Sequence, residues 1–206
     1  MPLELIPLTV GPWPMNMYIL ICPETQRGAI IDPGAEAERI LETVGDARVD
    51  KILLTHAHPD HVGALEAVRQ ATNAAVYLHP AEHEKFGVAY DRPLGDGDLI
   101  EIGNHTVRAI HTPGHTPGMV CFDIGENRII VGDTIFVGGP GHTWSHEDFL
   151  TTIKTMRNVV FQWPDETQFF PGHGPSGKIG DERPKFEAFL SRGWPDGMMG
   201  DVLWEG

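Results

Sequence analysis

The chain has 206 residues, and its 15 Lys and Arg against 29 Asp and Glu give a formal net charge of −14. No run of basic residues forms a stripe that could bind phosphate groups, so nucleic acid and anionic membrane surfaces are excluded as expected partners. A chain of this length predicts one domain over 1–206, in which 193–206 form a short C-terminal tail.

The N-terminal region lacks the features of a targeting segment. No Lys or Arg precedes Arg27, and the apolar run from Met17 to Cys22 is too short to span a bilayer or to form a signal core. Cys22 and Cys121 lie in apolar runs without a CxxC spacing, which is typical of buried free thiols. These features predict a soluble, cytoplasmic protein that does not insert into a membrane.

Apolar runs with strand character alternate with amphipathic helical segments along the chain. The predicted strands are, in chain order, 3–10, 15–22, 29–31, 52–54, 76–78, 98–102, 106–111, 118–124, 128–131 and 167–170. The predicted helices are 35–44, a helix after the loop at 55–61, a short piece at 81–86, a helix that Ser145 opens, and 182–191. The irregular stretch 87–97 is predicted to be a short lid.

The C-terminal tail is apolar but interrupted by glycines. It carries Trp194, Met198, Met199 and Trp204. This pattern predicts a cap over the core, and its alternative is a self-association surface that would make the protein a homo-oligomer.

Histidine makes up 11 of the 206 residues, about twice its usual share, and it is concentrated in loops. One loop has the sequence HAHPDH, from His56 to His61. In an extended turn, His56 and His58 point toward one metal ion, while Asp60 and His61 point to the far side and can hold a second. This spacing predicts two neighbouring metal sites.

Three further loops with possible ligands each follow an apolar strand directly. They contain His115, Asp133 and His173. Because the carboxyl ends of strands collect at one edge of an α/β sheet, we expect these side chains to converge with the HAHPDH loop. The predicted ligands of one ion are His56, His58 and His115, and those of the other are Asp60, His61 and His173, with Asp133 as a bridge.

This donor set predicts two divalent metal ions. Imidazoles and carboxylates without a usable cysteine favour Zn, with Fe or Mn as alternatives, over thiolate sites or Ca and Mg cages. Three protein ligands for each ion leave positions open, which catalysis requires. Asp60 and Asp133 are therefore predicted to be catalytic as well as metal-binding.

The motifs THAHPDH, HTPGHTPG, VGDTIF and FPGHGP resemble the ligand motifs of the metallo-β-lactamase superfamily over roughly residues 4–190, and Asp32 matches an early aspartate of that family. Within the superfamily, GDTIF and PGHGPSGKIGDER resemble the glyoxalase II group. The resemblance implies an α/β fold, a four-layer αββα sandwich with the dinuclear site at one edge. It also implies hydrolysis of small-molecule thioesters of the S-acylglutathione type.

Two departures from the glyoxalase II pattern concern the substrate. The sequence matches a short form without the C-terminal glutathione-binding domain, and the family's basic residue after GDTIF is replaced by the segment GPGHTW at 139–144. Within that segment, His142 is a candidate cation or proton donor and Trp144 a candidate aromatic wall. The alternative interpretation is an exposed turn histidine and a partly buried tryptophan.

Three other enzymatic functions compete with thioester hydrolysis. A lactonase must protonate a departing alkoxide, and Tyr90 and His142 are the candidate donors in loops, whereas a thiolate leaves without help. A persulfide dioxygenase, which the ligand pattern also resembles, uses a single iron at the positions of His56, His115 and Asp133. A β-lactamase is disfavoured because such members usually have Cys or Ser where this chain has Asp133.

Overall fold

The structure, a computed structural model, describes residues 1–205 and contains two six-stranded sheets. In the first sheet the strands lie in chain order, antiparallel from the first strand to the third and parallel from there on. They are β1 (Glu4–Val10), β2 (Met15–Ile21), β3 (Arg27–Ile31), β4 (Arg48–Leu53), β5 (Ala75–Leu78) and β6 (Arg92–Pro93).

The second sheet is formed by the rest of the chain. Its strands are β7 (Leu99–Ile102), β8 (His105–His111), β9 (Val120–Asp123) and β10 (Arg128–Gly132), then, after a small ribbon of β11 (Ile135–Phe136) and β12 (Gly139–Pro140), β13 (Gln168–Pro171) and β14 (Gly177–Lys178). The order is β14-β13-β10-β9-β8-β7, with β10 and β13 parallel and the other neighbours antiparallel. As a result β8, β10 and β13 all point their carboxyl ends to the same edge.

Helices cover the outer faces of both sheets. They are α1 (Ala37–Val44), α2 (Pro59–Val62), α3 (Leu65–Thr72), α4 (Pro80–Phe86), α5 (His146–Asn158), a 3-10 turn (Val160–Gln162) and α6 (Ile179–Arg192). Side chains alternate along the buried strand β2: Met17 and Ile19 pack toward α1 and α3, while Tyr18 and Leu20 pack toward the second sheet. A separate apolar cluster joins the second sheet to α5 and α6. The predicted αββα order of layers is confirmed.

The stretch 87–97 is irregular, as the sequence predicts, apart from one short strand. Gly87 ends α4, and Arg92–Pro93 then pairs with β5 as a parallel edge strand of the first sheet. The carboxylate of Asp91 holds the start of this strand beside β5, because it accepts hydrogen bonds from the backbone N–H of Val76 and from the guanidinium of Arg69. A proline is tolerated in this strand because it lies at a sheet edge.

The C-terminal tail covers the core. The side chain of Trp204 is completely buried and contacts the rings of Phe186 and Phe189 at centroid distances of 5.2 and 5.4 Å. Thr143 and Gly200 pair as an isolated antiparallel bridge that ties the tail to the loop before α5. The cap interpretation of the tail therefore describes Trp204, whereas self-association stays a prediction.

Two further predictions concern the cysteines and the membrane. Cys22 and Cys121 are both free and buried, as the sequence predicts. Within residues 1–205, none of the helices combines the length and the apolar character that crossing a bilayer requires.

Candidate metal centre

The predicted ligands lie together at the carboxyl edge of the two sheets. His56 and His58 follow β4, His115 follows β8, Asp133 follows β10 and His173 follows β13. These strands approach the edge in the same direction, which brings residues distant in the chain into one cluster.

A proline splits the HAHPDH loop into two parts. His58 is extended, with φ −66° and ψ 148°, and Pro59 then occupies the first position of α2, where its missing N–H costs no hydrogen bond. Asp60 and His61 consequently lie on a helical turn and not in the extended loop that the sequence predicts. Gly34 allows this turn to approach β3, because a Cβ there would collide with the carbonyl oxygen of Asp60.

His56, His58 and His115, called here the first triplet, have ligand atoms within 4.8 Å of one another. Nδ1 of His58 lies 3.1 Å from Nε2 of His56 and 2.9 Å from Nε2 of His115. Burial, together with the neighbouring imidazoles, lowers the pKa of His58 to about 4 and holds the pKa of His56 well below its usual value. Three neutral imidazoles that face one another form a nitrogen site for a metal ion.

Asp60, His61 and His173, called the second triplet, also have ligand atoms within 4.8 Å of one another. Nε2 of His173 lies 3.1 Å from Oδ2 of Asp60, and this hydrogen bond lowers the pKa of Asp60 to about 2 and raises that of His173. The second triplet therefore offers both nitrogen and carboxylate oxygen ligands, as the sequence predicts.

Asp133 lies between the two triplets. Its Oδ2 is 3.7 Å from Nε2 of His115 in the first triplet and 3.8 Å from Nε2 of His173 in the second, and its Oδ1 is 3.4 Å from Nε2 of His61. A carboxylate in this position can contact both metal sites.

Two orphaned atoms show that the cluster fits metal ions. Among residues 1–205, Nε2 of His61 and Oδ1 of Asp133 are buried without a hydrogen-bond partner. A buried polar atom left unpaired costs about 1–3 kcal/mol, and these two atoms face the same space. Burial opposes the protonated form of His61, but the carboxylates of Asp133 and Asp32 outweigh it and raise its pKa. A divalent cation would satisfy both atoms and replace that proton.

Further contacts orient the ligands. The carboxylate of Asp32 accepts hydrogen bonds from the backbone N–H and hydroxyl of Thr55 at 2.8 and 2.6 Å and lies 3.0 Å from Nδ1 of His61. Because a carboxylate accepts, Nδ1 of His61 donates to Asp32, and Nε2 would offer its lone pair to a metal ion once that ion has replaced its proton. Nδ1 of His115 and Nδ1 of His173 also donate, since each lies within 3.0 Å of a backbone carbonyl oxygen, and Nε2 of each ring faces the metal sites.

Sequence reasoning missed Glu82, which holds two ligand loops together. Its side chain is completely buried in the first turn of α4. The backbone N–H of Ala57, between His56 and His58, donates to Oε2 at 3.0 Å, and the N–H of Gly118 donates to Oε1 at 2.8 Å. In the sequence, Glu82 resembles any acidic residue in the first turn of an exposed helix.

Replacing Glu82 with alanine is expected to weaken metal retention by about 10–100-fold, because the ligand loops lose their shared acceptor. The measurement is a chelator competition titration, read together with the free energy of unfolding. Glu82→Gln keeps one acceptor oxygen and should recover part of the affinity. Glu84→Ala is the matched control, since Glu84 is exposed on the same helix. Equal metal affinity in Glu82→Ala and wild type would contradict this role.

A cleft of about 340 Å³ opens beside the first triplet and Asp133. His142 lines it, with Nδ1 2.9 Å from Oδ1 of Asp201, and so is paired with the tail and not free. Trp144 is 59% exposed, and its ring centroid lies 4.5 Å from that of His142 and 6.0 Å from that of His58. Asp201, Val202 and Leu203 of the tail also line the cleft, which the sequence did not predict.

The structure does not bring Tyr90 to this cleft. Its ring packs against His83 at a centroid distance of 5.6 Å and joins the apolar cluster under the first sheet. Instead, the aromatic residue on α4 that approaches the first triplet is Phe86, with its centroid 5.1 Å from that of His58. Tyr90, which the sequence offers as a loop residue that contacts substrate and as a candidate proton donor, therefore lies away from the cleft, because the edge strand β6 keeps the 87–91 segment at the side of the sheet.

Comparisons with known proteins agree with this architecture. Residues 10–176 match the model of the metallo-beta-lactamase superfamily. The hydroxyacylglutathione hydrolase GloC of Haemophilus influenzae is 31% identical over 205 residues, which cover 89% of this chain and 95% of GloC.

Two solved structures are also similar. One, of TTHA1623 in a di-iron-bound form, has a TM-score of 0.71 and 32% identity, over 86% of this chain and 96% of that one. The other, of ETHE1 from Myxococcus xanthus, has a TM-score of 0.78 and 26% identity, over 87% of this chain and 81% of that one. By its sequence, its fold and its ligand edge, the chain belongs to the metallo-beta-lactamase superfamily.

Proposed function

We propose that the chain is a metal-dependent hydrolase of small-molecule thioesters of the S-acylglutathione type. The observation that carries the proposal is the position of Asp133 between two complete ligand triplets. The relative named hydroxyacylglutathione hydrolase, which matches along nearly its whole length, supports the substrate class.

The two triplets divide the work of holding the metals. His56, His58 and His115 would hold one divalent ion, and Asp60, His61 and His173 the other, with Asp133 contacting both. Zn is the first expectation for these nitrogen and oxygen donors, and Fe and Mn are the alternatives. When bound, such ions supply Lewis acidity, which lowers the pKa of a water molecule and polarises a carbonyl oxygen.

The chain's own residues would position the substrate and accept the proton of the attacking water. Asp60 and Asp133 are the carboxylates of the centre, and we assign them the catalytic role of accepting the proton of the attacking water. The cleft beside them is walled by Phe136, Val137 and Val202, which offer an apolar surface to a substrate.

The cleft favours a thiolate leaving group over an alkoxide. Among the described residues that line it there is no Tyr, Lys or Arg, and His142 is hydrogen-bonded to Asp201. A thiol has a reference pKa of about 8.5 and leaves as a thiolate without protonation, whereas an alkoxide requires an acid. Thioester hydrolysis is therefore preferred over lactone hydrolysis.

The proposal is tested on purified protein reconstituted with Zn, Fe(II) or Mn. We expect hydrolysis of several thioesters, with a high KM for S-D-lactoylglutathione, because none of residues 87–97 lines the cleft and remote parts of the substrate gain little binding energy. Thiol release is measured for a series of S-acylglutathiones and for a matched lactone. Failure to hydrolyse any thioester with both metal sites filled would refute the proposal, and a sub-micromolar KM for S-D-lactoylglutathione would contradict the open cleft.

A mononuclear-iron persulfide dioxygenase is the second candidate. The similarity to ETHE1 and the closeness of His115 and Asp133, 3.7 Å apart, favour it. The complete second triplet argues for a second ion. Oxygen consumption by the iron-loaded protein on glutathione persulfide, with one iron per chain and no thioesterase activity, would establish the dioxygenase instead.

A further inference from the structure

A second cluster of potential ligands lies at the edge of the sheets opposite to the candidate metal centre. Cys22 and Glu24 belong to the turn between β2 and β3, and His105 begins β8. One ligand atom from each of the three side chains lies within 4.8 Å of the others. The turn between β2 and β3 lies at the amino end of β3, and His105 lies at the amino end of β8. The first and second triplets follow the carboxyl ends of their strands, so the two clusters lie at opposite edges.

The thiol of Cys22 is placed to act as a ligand and not as a nucleophile. Its side chain is completely buried, so no substrate can reach the sulfur, while Sγ lies 3.4 Å from Oε2 of Glu24. A thiol gives up its proton when it coordinates a metal ion.

His105 presents a free lone pair at the same place. Its Nε2 lies 2.8 Å from the carbonyl oxygen of Met1, and since a carbonyl only accepts, Nε2 carries the proton. Nδ1 of the neutral ring is then a lone pair, and within residues 1–205 this atom is buried and has no hydrogen-bond partner. Metal-binding histidines typically show this arrangement, with one ring nitrogen donating to a backbone carbonyl and the other free for the ion.

The two turns are already held together without an ion. Gly103 has a φ of +59°, and a Cβ at this position would lie 2.6 Å from Sγ of Cys22, so the β7–β8 turn packs directly on the thiol. Glu24 is exposed on the outer side, where one oxygen accepts from the amine of Met1 at 2.9 Å. Its carboxylate can rotate to admit an ion from solvent, whereas Cys22 and His105 are held in place.

We propose that Cys22, Glu24 and His105 form an additional metal site, for a divalent transition metal with Zn as the best match, that joins the β2–β3 turn to the β7–β8 turn. One thiolate, one imidazole and one carboxylate are donors that Zn accepts, and a thiolate disfavours Ca, Mg and Mn. The ion would cross-link the two sheets at the edge opposite to the candidate metal centre. Its role would be structural, with a water molecule completing the coordination that the three protein ligands leave open.

Cobalt(II) distinguishes this site from the candidate metal centre. The first and second triplets and Asp133 contain no sulfur, so a thiolate-to-cobalt charge-transfer absorption reports on a cysteine ligand alone. We expect chelator-treated full-length protein to develop this absorption when Co(II) is added, with the intensity of one thiolate ligand, and to lose it when Zn is added. The wild-type protein is sufficient for this measurement, so the result does not depend on whether a variant folds.

Two cysteine variants complete the test. Cys22→Ser should abolish the absorption and bind one metal ion fewer per chain than wild type, with an unchanged kcat. Cys121→Ser is the matched control. It should keep both the absorption and the wild-type number of ions, because Cys121 is buried beside Thr112 and Thr134 and not near the cluster. His105→Phe should weaken the cobalt affinity at least 10-fold.

The result that would overturn the site is wild-type protein that shows no thiolate absorption in excess Co(II), or an absorption that survives in Cys22→Ser. The readouts are a sulfur-specific spectrum and a difference of one ion between two proteins. Both remain interpretable even when the candidate metal centre holds one ion instead of two or the protein has no thioesterase activity.

Discussion

Replacing Asp133 with alanine is expected to lower kcat for thioester hydrolysis by about 1,000-fold, or ~4 kcal/mol, and to reduce the number of ions bound at the candidate metal centre. Asp133 is the carboxylate whose Oδ2 approaches both triplets, at 3.7 Å from His115 and 3.8 Å from His173. Its removal would take one negative charge from between the two divalent cations of the proposed centre, so their mutual repulsion would no longer be offset. The measurements are metal content by elemental analysis and kcat in excess metal.

Two controls separate this effect from general damage. Asp133→Asn keeps the shape of the side chain but removes its charge. The number of ions that this variant retains should lie between the numbers retained by Asp133→Ala and by wild type. Asp196→Ala changes an exposed aspartate of the tail and should leave both metal content and kcat unchanged. Wild-type kcat with both ions retained in Asp133→Ala would remove Asp133 from the centre.

The ligand edge could be predicted from the sequence because its information is local. Each ligand follows an apolar strand within a few residues, and the direction of the strands alone brings the carboxyl ends of β4, β8, β10 and β13 to one edge. Local signals also placed the start of α5, where the hydroxyl of Ser145 accepts from the backbone N–H of Asp148 at 3.1 Å. Pro59 was a local signal too, and it begins α2 inside the predicted loop.

The parts that could not be predicted depend on contacts between distant residues. The role assigned to Glu82 depends on α4 packing against two ligand loops, and Gly118 is 36 residues away from it in the chain. The 87–97 stretch has loop composition, yet the free edge of β5 converts Arg92–Pro93 into a strand. Tyr90 is drawn away from the cleft by the same pairing. Asp201, Val202 and Leu203 line the cleft because Trp204, the next residue, is buried in the core. The tail is interrupted by glycines and has no periodic apolar pattern from which this burial could be predicted.

Replacing Trp204 with alanine is expected to lower the free energy of unfolding by about 3–5 kcal/mol, because the side chain is completely buried against Phe186 and Phe189. The same substitution should raise KM for thioesters, since Val202 and Leu203 form part of the cleft wall and depend on this anchor. Chemical denaturation at constant metal loading measures the first effect, and steady-state kinetics below the transition measures the second.

Leu203→Ala separates the wall from the anchor. Leu203 is 62% exposed, so its truncation should change the free energy of unfolding by no more than about 0.5 kcal/mol while still raising KM. A loss below about 1 kcal/mol in Trp204→Ala would contradict the cap, because truncation of a packed tryptophan cannot be that small. A wild-type stability that rises with protein concentration, and no longer does so in Leu203→Ala, would instead identify the exposed side of the tail as a self-association surface.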